Sequence, residues 1–220
     1  MPSPRTAPPD RTPSLTYSVV DVETTGLSPG SGDRIVEIGV ARLDADGNIV
    51  DAFDTLVNPD GPVRATRIHG INNAMVSDAP RFGDIIERLC AVLDGSVLAA
   101  HNAGFDMGFL REEFRRAGTP FPRLKPVCTL VLARRHLNRL PSKSLEACRR
   151  YLGIADEGAH SALADARAAA GVLRHIIETS GPPERPDLFT SPIEPVRAQP
   201  GLFDDSPVPL KPRTPEEATV

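Results

Sequence analysis

Proline limits where this chain can fold. Of its 23 prolines, five fall in residues 1–16 and ten in residues 181–220, leaving eight for the 164 residues between. Each proline removes a backbone donor and fixes φ, so dense runs of it defeat helix and sheet alike. Neither end carries a periodic apolar stretch that would offset its ordering entropy. The expectation is a folded domain over residues 17–180, a flexible arm over residues 1–16 and a disordered, Pro-rich tail over residues 181–220. A domain of that length can bury a sizeable core.

Within it, YSVVDVE (17–23), RIVEIGVARL (34–43) and NIVDAFDTLV (48–57) read as strands, the last two joined as a hairpin through DADGN (44–48). Phe82, Ile85, Ile86, Leu89 and Leu93 recur at helical spacing. SVLAAH (96–101) has strand length, and a helix follows through Phe109, Leu110 and Phe114 to Gly118. Residues 126–138 read as a short strand leading into a helix, and residues 144–151 as a second helix closed by Gly153. Ser161 is placed to N-cap an alanine-rich helix running to Thr179. A meander of three strands followed by alternating helices and strands makes an α/β domain, a mixed five-stranded sheet flanked by helices.

Composition narrows the function classes. Hydrophobic residues at 40% and charged residues at 25% are ordinary for a soluble globular chain. No apolar run approaches the roughly 18 residues of a membrane span, and the N-terminus has no apolar stretch of secretory type. Cys90, Cys128 and Cys148 are odd in number and far apart, which fits a reducing cytoplasm better than a disulfide or zinc framework. The net charge of −4 argues against a generally basic nucleic-acid binder. Residues 111–150 nevertheless carry eleven Arg or Lys against three acids, either a track for a phosphate backbone or solvated helix faces. No G-x-G-x-x-G follows a strand, which excludes a Rossmann dehydrogenase.

Four carboxylates stand in places that disfavour them. Asp21 and Glu23 are two apart on an apolar strand and so share one face. They either belong to a solvated edge strand or are neutralised by a cation. On the last helix Asp165 lies away from Arg167, Arg174 and Glu178 and in the stripe of Ala169, Val172 and Ile176. Such an inward acid needs a buried arginine or a metal. Asp106 opens a helix, where an acid is commonplace. If the four converge, their hard oxygens suit Mg²⁺ or Mn²⁺, and two such ions about 4 Å apart serve phosphodiester hydrolysis. His160, five residues before Asp165, is a general-base candidate. His69 and His101 are competitors, while His136 and His175 fit surface and helix-end roles.

VVDVETTGL (19–27), HNAGFDMGFL (101–110) and HSALADARA (160–168) resemble, in order and spacing, the three motifs of the DEDDh (DnaQ-like) 3′–5′ exonuclease family. That family includes the proofreading epsilon subunit of bacterial DNA polymerase III, RNase T and oligoribonuclease. The resemblance implies an RNase H-like fold and release of nucleoside monophosphates from 3′ ends with two Mg²⁺ or Mn²⁺ ions. Carried over by motif, Asp21 would bridge both metals, Glu23 and Asp165 would complete one site and Asp106 would support the other. His160 would deprotonate the attacking water. Thr24 and Leu27 would hold the terminal nucleotide, His69 of IHGI (68–71) would contact substrate, and Phe105 would line the same pocket or pack. Implied substrates are 3′ ends of single-stranded DNA in replication proofreading or repair. The alternatives are an RNA-trimming exoribonuclease and a catalytically silent, clamp-tethered adaptor.

QPGLF (199–203) resembles the peptide by which bacterial replication proteins dock on the sliding clamp, with Pro200 where Leu is usual. Gln199, Leu202 and Phe203 are its candidate anchors, and a sliding clamp or replicative polymerase is the implied partner of the tail. RPDLF (185–189) is a poorer echo.

Overall fold

The computed structural model describes residues 15–158, 160–183, 187–193 and 209–214. Its elements are β1 (Tyr17–Thr24), β2 (Ile35–Leu43), β3 (Ile49–Leu56), α1 (Thr66–His69), α2 (Asn73–Val76), α3 (Phe82–Leu93), β4 (Val97–Ala100), α4 (Ala103–Arg116), β5 (Val127–Cys128), α5 (Thr129–His136), α6 (Leu145–Leu152) and α7 (Ala162–Ser180). Two short helices, α1 and α2, were not expected. Four residues are too few for a 3.6-residue period to register.

The sheet order is β3-β2-β1-β4-β5. β1, β2 and β3 are antiparallel neighbours, while β4 and β5 run parallel to β1. β1 is therefore central, and Asp21 and Glu23 do not lie on an edge. Its rows divide cleanly. Val20 and Val22 join the core beneath α3 and α4 with Phe82, Ile85, Leu89 and Phe109. Tyr17 and Val19 face the other way, into a core with Ala166, Ala169, Ala170 and Leu173 of α7. Small alanines let that helix lie close to the sheet. Each large apolar side chain buried here is worth about 1.5–3 kcal/mol. All three cysteines are free, and no described helix is long and apolar enough to cross a membrane.

The expectation of a free tail needs correction for two stretches. Phe189 is 1% exposed and packs against Phe121, ring centroids 5.9 Å apart. Its N–H donates to the Ser96 carbonyl (2.7 Å) and its own carbonyl accepts from Gly95 (3.0 Å). Leu210 also packs on this core. For the first stretch the physical reason is an aromatic row, Phe114 on Phe121, that the ring of Phe189 extends; for the second it is the hydrogen bonding of Lys211 to the Leu56 N–H and the Thr55 hydroxyl on β3. Residues 1–14 of the expected arm, and Gln199, Leu202 and Phe203, lie outside the described residues.

Candidate active site

The acids continue the apolar row of β1. Tyr17 and Val19 meet α7, and the next two side chains on that face are Asp21 and Glu23, half-buried where α7 begins. Gly39 is opposite Asp21 on β2. A Cβ at Gly39 would overlap the backbone nitrogen of Leu163 and the carbonyl carbon of Ala162. Glycine is thus what admits the first turn of α7, and that turn carries Asp165. From the other side, α4 follows β4, which is parallel to β1, and brings in Asp106, 2% exposed.

Electrostatics record the convergence. Burial pushes Asp21 well above the usual carboxylate range, and the charges of Asp106, Asp165, Glu23 and Glu37 raise it further. Burial, then Glu37 and Asp165, push Glu23 up to about 8. Asp106 rises to about 7, chiefly through burial. Asp165 is raised by burial, with His160 opposing. Acids gathered this closely ionise together only beside positive charge. All of the donors here are carboxylate oxygens or imidazole nitrogen. A hard divalent cation fits that donor set.

His160 stands at the mouth. Its ring nitrogen and carboxylate oxygens of Glu23 and Asp165 lie within 4.8 Å of one another. The side chain is exposed, and its backbone is left-handed at φ 67°. Ser161 occupies the N-cap position of α7 but makes no side-chain cap. Glu37 Oε2 instead accepts from the Ala162 N–H (3.2 Å). Beside the site a cleft of about 350 Å³ is lined by Arg149, Asp156, His160 and Asp165.

The loop after β1 is tied inward. Thr24 is buried and its hydroxyl donates to the Gly26 carbonyl (2.6 Å). The Thr25 hydroxyl donates to Asp33 Oδ1 (3.3 Å), and Asp33 Oδ2 accepts from the Ser28 N–H (2.9 Å). Leu27 is left 81% exposed at the tip. Arg34, next to this loop, donates to both carboxylate oxygens of Glu113 on α4 at 2.7 and 2.9 Å.

The remaining candidates make contacts of their own. His69 is 2% exposed, with Nε2 bonded to the Arg64 carbonyl (3.0 Å) and Nδ1 accepting from the Ile71 N–H (3.1 Å). Both nitrogens are engaged by main chain, and the Thr24 backbone at the end of β1 also bears on the ring. Phe105 is half-buried and stacks at 5.0 Å on Phe109, a packing contact. His101 bonds Thr129 and the Lys143 carbonyl, a structural role. Among the basic residues of 111–150, Arg115 and Arg116 pair with Glu112, and Arg149 and Arg150 with Glu146. Arg134, Arg135 and Arg139 are exposed.

Two residues of the site were missed. Glu37, 1% exposed, is paired across the ladder with Glu23 and pushed up to about 7 by burial. An acid inside the apolar run IVEIGV was the available signal. Arg213, from the C-terminal stretch, approaches Glu37 Oε2 at 3.5 Å. A lone arginine among prolines gave no signal.

A family model described as an exonuclease matches residues 18–173. The chain belongs to this exonuclease family. A DNA polymerase III subunit epsilon-like protein of Rhodobacter capsulatus is 41% identical over 170 residues, 74% of this chain. That alignment spans only 24% of the relative. Among solved structures, the nuclease domain of 3′hExo, a DEDDh family member bound to rAMP, superposes with a TM-score of 0.66 at 18% identity, covering 78% of this chain and 95% of that one. Exonuclease I of E. coli in complex with a dT13 oligonucleotide gives 0.65 at 20% identity, covering 74% of this chain and 41% of that one. Both likenesses establish the fold of the exonuclease domain, a five-stranded RNase H-like sheet.

Proposed function

We propose that this exonuclease domain removes nucleoside monophosphates from the 3′ ends of single-stranded DNA with the help of two Mg²⁺ or Mn²⁺ ions. The observation that carries the reading is the meeting of Asp21, Glu23, Asp106 and Asp165 from three elements, with His160 within reach of two of them. Those carboxylates would hold the ions, Asp21 shared between them. When bound, such a pair stabilises the attacking and leaving oxygens of a phosphodiester displacement.

The chain's own residues supply the rest. A ring nitrogen of His160 takes the proton of the attacking water, whose oxygen bonds to phosphorus while the bond from phosphorus to the upstream O3′ breaks. The leaving oxygen keeps the electron pair and takes up a proton, leaving a new 3′-hydroxyl and a free 5′-monophosphate. Exposure lets the imidazole exchange its proton with solvent between turnovers. Leu27, held outward by a tied loop, is suited to wedge against the terminal base, and Thr24 anchors that loop from beneath. In the tail, Gln199, Leu202 and Phe203 are proposed to tether the domain to a sliding clamp.

The test is a gel assay with 5′-labelled single-stranded DNA and RNA of one sequence, with Mg²⁺, Mn²⁺ or chelator. Stepwise DNA shortening from the 3′ end that needs metal supports the reading. Preferential shortening of RNA replaces it with an exoribonuclease, and no shortening of either favours the adaptor.

A further inference from the structure

We propose that Arg213 and Glu37 act together as a positioning pair for His160; the inference rests on the reading of His160 as general base. The two side chains are 3% and 1% exposed. Burying an arginine and a glutamate is costly unless both are paired and hydrogen-bonded. Here each partner grips the chain around His160. Arg213 Nη1 donates to the His160 carbonyl (2.7 Å), and Nη2 donates to the His69 carbonyl (2.6 Å). Glu37 accepts from Ala162, two residues further on (3.2 Å). Glu37 Oε2 takes all of these contacts, while Oε1 is buried with no hydrogen-bond partner among the described residues. The segment carrying the imidazole is therefore held from both sides by one buried Arg–Glu pair, kept at a cost in burial.

That grip has something to oppose. His160 is a non-glycine residue in the left-handed region, a conformation that persists only where its surroundings enforce it. Arg213 is delivered by a built contact. The Leu56 N–H donates to the Lys211 carbonyl (2.7 Å), and the Lys211 N–H donates to the Thr55 hydroxyl (2.9 Å). Lys211 Nζ bonds the Met75 carbonyl (2.9 Å) and Asp78. The planar fork of arginine reaches two carbonyls and a carboxylate at once, which the point charge of lysine cannot.

The experiment uses the full chain, Arg213→Ala, Arg213→Lys and Glu37→Gln. Amide hydrogen exchange reads the positioning directly, and single-stranded DNA hydrolysis reads its consequence. The Ala162 amide is expected to exchange about tenfold or more faster in Arg213→Ala, with α3 amides unchanged. kcat is expected to fall about ten- to a hundred-fold with KM within about twofold, and Arg213→Lys to recover part of the loss. Combined with His160→Ala, Arg213→Ala should add almost nothing. Unchanged exchange, or a kcat that stays level or rises, overturns the proposal; a rise would make the C-terminal stretch an obstruction. If wild type shows no hydrolysis, or His160→Ala retains it, the functional reading falls, and the exchange result still decides the pair.

Discussion

Gly39 stands directly opposite Asp21 in the antiparallel register of β1 and β2, and its missing side chain makes room for the backbone at the start of α7. Asp165 reaches the same place as Asp21 because that helix can rest on the sheet. The site is thus set by a close approach of main chain as much as by its acids.

Gly39→Ala is expected to push the first turn of α7 off the sheet. Overpacking of this kind costs about 1–3 kcal/mol, and here it also separates Asp165 from Asp21. A urea melt should register the loss of stability, and nuclease activity should drop far more than the melt alone would explain. Wild-type activity in a well-folded Gly39→Ala variant would mean that α7 need not sit where it does.

Asp21→Asn replaces a buried carboxyl, crowded by four others, with a neutral side chain that has no ionisation to suppress. In the absence of metal the variant should melt higher than wild type, by about 2–4 °C for each kcal/mol gained. Activity should be lost. Calorimetric titration with Mn²⁺ should show weakened binding.

The same crowding dictates how stability follows pH. Glu37 and Asp106 are pushed up to about 7 and Glu23 to about 8, with Asp21 and Asp165 also raised. An acid harder to ionise folded than unfolded contributes stability that is complete below the ordinary carboxyl range. That contribution is lost as pH rises through the folded value. With chelator present, the melting temperature should therefore fall between pH 5 and pH 9. Saturating Mg²⁺ should flatten the decline, because bound cations favour the ionised carboxylates. A metal-free profile that rises over this window would contradict the burial and crowding of these groups.

The strands and long helices were legible because their apolar periods are plain. β1, β2, β3 and α7 lie within two residues of the expected bounds. Asp165 was legible from helical phase, since a carboxylate in an apolar stripe needs a partner. Glu37 offered the same kind of signal on β2 and was passed over, because its partners, Ala162 and Arg213, are 125 and 176 residues away. The docking of Phe189 and Lys211 was invisible for a related reason. Their stretches have no period of their own and gain order from what other elements present, an aromatic row for Phe189 and the β3 main chain for Lys211.

Arg34→Met should leave the buried Glu113 carboxylate without its bidentate partner. Glu113 keeps Arg116 at 3.6 Å and the Ile35 N–H at 3.3 Å, so the cost should be about 1–3 kcal/mol, that of charged hydrogen bonds lost, measurable by chemical denaturation. The double variant Arg34→Met/Glu113→Leu should recover much of that loss.

Leu27→Ala tests the tip of the loop after β1. The side chain is 81% exposed, so the melting temperature should not change. KM for single-stranded DNA should rise about five- to thirty-fold, the worth of about 1–2 kcal/mol of apolar contact with a base. An unchanged KM would remove Leu27 from substrate binding.

Under the proposed function, one carboxylate-and-histidine cluster performs metal-dependent hydrolysis from the 3′ end. The most direct measurement is the time course of a 5′-labelled single-stranded DNA in Mn²⁺ with wild type, Asp21→Asn and His160→Ala side by side. Wild type is expected to give a ladder descending one nucleotide at a time, and both variants to leave the substrate intact. A ladder that persists in Asp21→Asn, or fragments cut from the interior, would contradict it.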